Sequence, residues 1–316
     1  MNEKQIIERY FKQINIDNSV HVGSGDDAAV LNLSDNHQLV VSTDSMVIGR
    51  HFLPTSDPYN IGYKLMAVNI SDMAAMGATP RWVTLNLTLP EIDESWLKAF
   101  AEGFNTCAQQ ANVLLIGGDL TSGTETNISA QILGEVPVNK ALLRSQAEVN
   151  DLIYVTGRIG LAGSALTSLR THDDDHSQLS ASQMKALYQP ESRIALGCEL
   201  RRFAHAAIDV SDGLLHDLEL ICHASGVGAE LDIDRIPVTE EIDILNAITA
   251  GDDYELLFTA AEKYQTGIEL LSHQHACPIT QIGKISTGSG QVDLFQHGQK
   301  ISRPKTTGFD HFTQTS

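Results

Sequence analysis

The segment DPYNIGYKLMAVNISDMAAMG (Asp57–Gly77) is separated by only three residues from RWVTLNLTL (Arg81–Leu89). Asp57 before Pro58 is a helix start, an N-cap acid followed by proline at the first helical position. Ile61, Leu65, Val68 and Met76 then recur near helical spacing, and Gly77 marks the end. Val83, Leu85, Leu87 and Leu89 alternate instead, which predicts a half-buried strand. Outward from this pair the same alternation continues. Asn2–Ile14 reads as a helix, Ala28–Leu33 and Gln38–Thr43 as strands, and Ser95 caps a helix to about Ala111. Val113–Ile116 reads as a short strand ending in Gly-Gly-Asp, and Ile128–Val136 as another.

After the polar stretch Arg144–Asn150, the run DLIYVT (Asp151–Thr156) opens a second series. It comprises helices near Leu161–Leu169, Ser192–Ala204 and Glu262–His273, and a further helix opening at Ser211. Strands are expected at Ala206–Val210, Gly228–Ile233 and Ile279–Ile285, with the segment Asp253–Thr259 left unassigned between them. THDDDHSQ (Thr171–Gln178) reads as a solvated loop. Strands and helices alternating in both halves predict two α+β units with a boundary near residues 138–150.

A chain of 316 residues with 42% hydrophobic residues is long enough for two such cores. No apolar run approaches the ~20 residues that span a bilayer, and the charged N-terminus lacks a secretory pattern. Four cysteines (Cys107, Cys198, Cys222, Cys277) fall in no CxxC pair, so neither a thiolate zinc site nor a disulfide framework is expected. A reducing cytoplasm is the expected location. Forty acidic against 21 basic residues give a formal charge of −19. Nucleic acid and anionic membranes are therefore not expected partners.

The acids stand in telling places. Asp27 lies in GSGDDAAVL, Asp44 in VVSTDSM, Asp72 in VNISDMAAMG, Asp119 in LIGGDLTSG, and Asp209 and Asp212 in AIDVSDGLL. Singly, Asp27 and Asp119 read equally as turn residues, Asp44 as the cap of a strand and Asp212 as an acid in a first helical turn. Asp72 is different, because it sits inside an apolar helix where a carboxylate is a poor helix former and costly to bury unpaired. Convergent carboxylates with neighbouring hydroxyls (Ser42, Thr43, Ser71, Ser211) suit a hard divalent cation, magnesium above all. GSGDD and IGGD add glycine amides that can approach phosphate oxygens. No Walker loop, HRD, DFG or HExxH is present, which disfavours P-loop, protein-kinase and zinc-hydrolase chemistry. The spacing of GRIGLAG (Gly157–Gly163) is wrong for a dinucleotide fingerprint.

In order, GDDAAVL, STDSMVIGRHF, GYKLMAVNISDMAAMGATP, IGGDLTSG, Arg144-Ser145 before DLIYVTG, AIDVSDGLLHDL, GDDYELLF and GFDHF resemble the thiamine-monophosphate kinase family. The resemblance runs from about Gly23 to Phe312. It implies the two-domain α+β architecture of the aminoimidazole ribonucleotide synthetase-like superfamily. Residues 1–138 would form an ATP- and metal-binding domain that pairs with its twin in a homodimer. Residues 139–316 would complete the nucleotide and substrate cleft. Several Mg2+ ions are implied, with ATP as co-substrate and thiamine monophosphate as acceptor. Carried over, Asp27, Ser42, Thr43, Asp44, Asp72, Asp119, Asp209 and Asp212 match metal positions. Gly118, Asp119, Arg144 and Ser211 match nucleotide positions, and His51, Glu255 and Phe309 match the thiamine-phosphate side. Relatives often carry Trp or Tyr where this chain has Phe309, which can stack but has no polar tip.

The acceptor phosphate is its own nucleophile, so no dedicated nucleophile or base is expected, only electrostatic stabilisation by magnesium and Arg144. Two alternatives remain: another ATP-dependent synthetase of the superfamily, or a non-catalytic nucleotide or metal sensor on the same fold. Selenophosphate synthesis is disfavoured because the first cysteine is Cys107.

Overall fold

The computed structural model describes residues 3–11, 17–24, 26–172, 174–239 and 242–309. Gly25, Asp173 and the 310–312 part of GFDHF lie outside them, as do residues 2 and 12–14 of the expected first helix. The chain divides into two compact units, Met1–Met73 with Ala78–Lys140, and Ala74–Gly77 with Ala141–Ser316.

The first unit begins with α1 (Glu3–Ile6), which widens into a π turn over Ile7–Phe11, and the short strands β1 (Val20–Val22) and β2 (Val30–Leu31). There follow β3 (His37–Val47), α2 (Pro58–Ala75), β4 (Thr79–Leu89), α3 (Glu94–Gln110), β5 (Leu114–Ser122) and β6 (Asn127–Pro137). The last four strands form one sheet in the order β3-β6-β4-β5. All its pairings are antiparallel except β4–β5, which is parallel because α3 is the crossover between them.

Alternation sorts the side chains. Val83, Leu85, Leu87 and Leu89 of β4 are buried, as are Ile128, Ala130 and Ile132 of β6. Asp93, rather than Ser95, caps α3: its carboxylate accepts the N–H groups of Ser95 and Trp96. Along α3, Trp96, Phe100 and Phe104 stack at 5.0 and 6.3 Å between ring centres.

Two glycines set how closely the helices meet. A Cβ on Gly62 of α2 would land on the Phe100 carbonyl oxygen, and one on Gly103 of α3 on that of Tyr59. The helices therefore touch backbone to backbone. Gly103→Ala is expected to destabilise the first unit, read as a lower urea midpoint, by an amount at or above the upper end of the ~1–3 kcal/mol that overpacking costs. An unchanged midpoint would show that the helices do not need this approach.

The second unit carries β7 (Leu152–Thr156), α4 (Leu161–Thr171), α5 (Ala181–Tyr188), α6 (Ile194–Leu200), β8 (Ala204–Asp209), α7 (Leu214–Ser225) and β9 (Gly228–Asp232). It continues with α8 (Ile244–Ala250), β10 (Leu256–Ala260), α9 (Gln265–Gln274), β11 (Ile279–Ser286), β12 (Val292–Gln296) and β13 (Gln299–Ile301). Its strands form a seven-stranded sheet in the order β13-β12-β9-β11-β7-β10-β8. The sheet is antiparallel except for the β12–β9 pair.

Every residue of β7 and β10 is buried. Ile153, Val155 and Leu257 belong to one core, while Leu152, Tyr154, Leu256 and Phe258 belong to another on the opposite face. That double coverage is why LIYVT and LLFTA read as continuous apolar runs.

Three further expectations change. The strand expected to end at Ile116 continues through Gly117, Gly118 and Asp119, which pair with Thr84, Leu85 and Asn86. The helix expected to open at Ser211 begins at Leu214, because Gly213 at φ 135° stands outside the helical region. The long helix expected over Ser192–Ala204 is only Ile194–Leu200, preceded by the separate α5 with a Ser180/Gln183 capping box.

Candidate active site

In the first unit, a cleft of 790 Å³ brings the two glycine-bearing motifs together. Gly23, Ser24, Asp26 and Asp27 line it from the β1–β2 connection, and Gly117, Gly118 and Asp119 from β5. Gly118 has φ +155°, and a Cβ there would strike the Leu85 carbonyl oxygen, so this wall is bare backbone laid flush against β4. The volume lies in the ~300–1,000 Å³ range of small-molecule sites. Among the described residues, Glu8, Asp26, Asp27 and Asp119 contribute four acids to the lining, and none that lines it is basic. Glu8 and Asp26 were not among the expected site residues.

A second group forms around β3 and α2. Ser42 Oγ donates to Asp72 Oδ2 at 2.5 Å, tying the strand to the helical carboxylate. Ser42, Asp44 and the buried Met46 alternate on one face of β3. Thr43 points to the other and donates to the Ala130 carbonyl at 3.0 Å. Asp72 is half-buried rather than enclosed. Across the sheet, Asp44, Ala130, Leu85 and Gly118 stand in register. Three strand steps of ~4.8 Å therefore separate Asp44 from the cleft glycines by about 14 Å. Beyond the end of β3, His51 Nδ1 accepts the Val47 N–H at 3.0 Å, which leaves its proton on Nε2.

The remaining expected residues belong to the second unit. Asp209 ends β8, and Ser211, Asp212 and Gly213 form the turn into α7. Asp217, fully buried in the first turn of α7, holds that turn together. Its Oδ2 accepts the N–H groups of Ser211, Asp212 and Gly213 at 3.1, 3.2 and 3.2 Å. Its Oδ1 finds no donor among the described residues. Burial, with the charges of Asp209 and Asp212, pushes this carboxyl up to about 8, against the pull of the Gly213 and Asp212 N–H donors.

The Asp212 carbonyl accepts the Phe309 N–H at 2.9 Å, so Phe309 sits at the same turn, 38% exposed. Arg144 lies in a short 3-10 turn whose carbonyl accepts from Ser225 Oγ.

Beside this turn runs Gly251–Glu255. Gly251, Asp252 and Tyr254 all take left-handed φ (73°, 68° and 52°). Such a run costs non-glycine residues about 1–3 kcal/mol each and is characteristic of functional loops. Asp253 Oδ1 accepts the Gly160 N–H at 2.8 Å, while Oδ2 is enclosed without a partner among the described residues. Its carboxyl is pushed well above the usual range, by burial first. Glu255 is buried and fully engaged. Arg193 forks onto it at 2.7 and 2.6 Å, and Thr156 Oγ1 donates to it at 2.5 Å.

Asp217, Asp253 and Arg193 were missed from sequence. Asp217 had a signal, an acid in a first helical turn. Arg193, 62 positions from Glu255, had none.

Comparison with known proteins places this arrangement. Residues 25–136 match the family model "AIR synthase related protein, N-terminal domain", and residues 148–294 its C-terminal domain. A thiamine-monophosphate kinase of Haemophilus influenzae is 39% identical over 333 residues, covering 100% of this chain and 99% of that protein. The chain belongs to the thiamine-monophosphate kinase family. The architecture agrees with solved members of that family. The thiamine-monophosphate kinase of Stenotrophomonas maltophilia K279a superposes with a TM-score of 0.83 at 38% identity, covering 94% of this chain and 96% of that one. A structure described as AaThiL complexed with AMPPCP and TMP superposes with a TM-score of 0.77 at 26% identity, covering 89% of each chain. The aminoimidazole ribonucleotide synthetase-like, two-domain α+β expectation is thereby borne out.

Proposed function

We propose that the chain transfers the γ-phosphoryl group of ATP to the phosphate of thiamine monophosphate, giving thiamine diphosphate and ADP. Family membership over the full length supports the reaction. The observation that carries its electrostatic side is the cleft lined by four acids and, among the described residues, by no basic one. Unit charges 4 Å apart at an effective dielectric near 20 repel by about 4 kcal/mol. A polyphosphate enters such a cleft only with cations between it and the protein. The donors fit magnesium: carboxylates at Asp27, Asp44, Asp72, Asp119, Asp209 and Asp212, with hydroxyls at Ser42 and Thr43, all oxygen. When bound, magnesium supplies charge neutralisation of the phosphates and fixes their orientation.

The chain's own groups then align two anions. Gly117 and Gly118 offer backbone that a phosphate can approach closely. Ser211 sits on a turn held by Asp217, and Arg144 offers a fork of donors to phosphate. The acceptor phosphate is largely ionised near pH 7, so no residue need take its proton. The new bond joins its oxygen to the γ-phosphorus. The bond to the β,γ-bridging oxygen breaks and leaves its electron pair on ADP. His51 and Phe309 are assigned to the thiamine side, where Phe309 offers a ring face to a cationic heterocycle, whereas Glu255, expected there, is taken up by Arg193 and Thr156. A homodimer through the first unit is supported by edge strand β3, which exposes Leu39 at 44% and Val41 at 50% on one face.

The test is direct. Protein, ATP, magnesium and thiamine monophosphate are incubated together and thiamine diphosphate is followed by chromatography. Its formation is expected, and ADP release without it would reject the acceptor.

A further inference from the structure

The connection from β7 into α4, GRIGLAG (Gly157–Gly163), receives the strained loop Gly251–Glu255. Thr156 Oγ1, at the end of β7, donates to Glu255 at 2.5 Å, and a Cβ on Gly157 would fall on the same carboxylate. Three residues further on, the Gly160 N–H donates to Asp253 Oδ1 at 2.8 Å. Gly160 and Gly163 also let α4 lie close to α8, since a Cβ on them would meet Ala247 and Ala250. α8 leads directly into the loop.

The backbone of the loop meets the turn before α7. Asp252 N–H donates to the Ser211 carbonyl at 2.7 Å, and Tyr254 N–H to the Val210 carbonyl at 2.8 Å. Gly251 lies so near that a Cβ would strike the Ser211 carbonyl oxygen. Between those two donors, Asp253 sends its carboxyl to Gly160. Asp252 and Tyr254 hold φ of 68° and 52°, and such a backbone keeps its shape only while its surroundings over-determine it. Asp253 supplies the side-chain tie at the centre of this strained run, and Glu255 with Arg193 closes its end.

Given Ser211 as a nucleotide contact, we propose that Asp253 is a positioning residue for ATP. Tied to Gly160, it keeps the loop seated on Val210 and Ser211, and so holds Ser211 where it meets a phosphate. GRIGLAG then acts as the support of this loop rather than as a dinucleotide fingerprint. Burial holds the Asp253 carboxyl well above the usual range. Asparagine, neutral and carrying the same acceptor oxygen, is therefore its close substitute.

The full-length protein, with magnesium, is titrated calorimetrically with the non-hydrolysable ATP analogue AMPPCP, which gives affinity and the fraction of competent sites separately. Asp253→Ala is expected to bind roughly 10-fold more weakly, the scale of one hydrogen bond to a charged group. Asp253→Asn should stay within about twofold of the parent, since it still accepts from Gly160. A merely structural role would lower the number of competent sites in Asp253→Ala and leave their affinity unchanged, which would overturn the proposal. An equal loss in Asp253→Asn would overturn it too. Should Asp253→Ala not fold, Gly251→Ala, whose Cβ drives the loop off Ser211, is expected to show the same loss, and unchanged affinity there would be equally fatal. No AMPPCP binding by the parent would reject the nucleotide reading itself, which thiamine diphosphate formation tests independently.

Discussion

Asp72→Asn is expected to lower turnover by about 10²–10³-fold, the scale seen when one preorganised electrostatic contact is removed from a transition state. The thermal midpoint should hardly move. Asn keeps the volume of Asp and an oxygen to accept from Ser42 Oγ, so the α2–β3 link at 2.5 Å can persist. Only the charge is lost. Asp72 is half-buried on a helix whose neighbours Asn69, Ile70 and Met73 are enclosed, so its carboxylate is held in place rather than mobile on the surface. If it serves as a magnesium ligand, the variant should also require more magnesium to reach half-maximal rate. Thiamine diphosphate formation across a magnesium series checks this. Normal turnover at limiting magnesium would remove Asp72 from the reaction.

Arg193→Met is expected to destabilise the second unit by about 3–5 kcal/mol, the cost of leaving one partner of a buried ion pair uncompensated. The pair is well enclosed, with side chains 13% and 11% exposed. Burial works against the guanidinium's charge, but the hydrogen bonds and charge of Glu255 outweigh it and keep Arg193 above its ordinary pKa. In the variant Glu255 retains Thr156 Oγ1 as a donor and loses its fork. Adding Glu255→Gln should recover much of the loss, because no buried charge then remains. Urea melts of the single and double variants measure both effects. A single variant that loses less than about 1 kcal/mol, the value of an exposed pair, would show that this bridge is not a buried one.

Long periodic segments were readable because a single local pattern governs them. The helix expected from Asp57-Pro58 is observed as Pro58–Ala75, and the strand expected at Arg81–Leu89 as Thr79–Leu89. Gly117–Asp119 misled because Gly-Gly-Asp is turn chemistry, while its conformation here is set by pairing with β4, some 30 positions earlier. The acids at the ends of apolar runs were legible singly. Their grouping was not, because it depends on register: nothing in the spacing shows that Asp27 and Asp119 line one cleft while Asp44 stands about 14 Å along the sheet. Asp217 shows the limit most sharply. As a sequence feature it is an acid near a helix start; only the fold shows one oxygen organising three amides and the other without a donor among the described residues.

The two strand orders also have a consequence during synthesis. All four strands of the sheet β3-β6-β4-β5 have been made once Pro137 is added. The first unit can therefore assemble its sheet on the ribosome. In the seven-stranded sheet, β7 at Leu152–Thr156 sits between β10 and β11, whose residues run from Leu256 to Ser286. At about 5–20 residues per second, β7, which is buried on both faces in the finished fold, spends several seconds without either neighbour. During translation LIYVT is therefore an apolar run left uncovered until β10 and β11 follow.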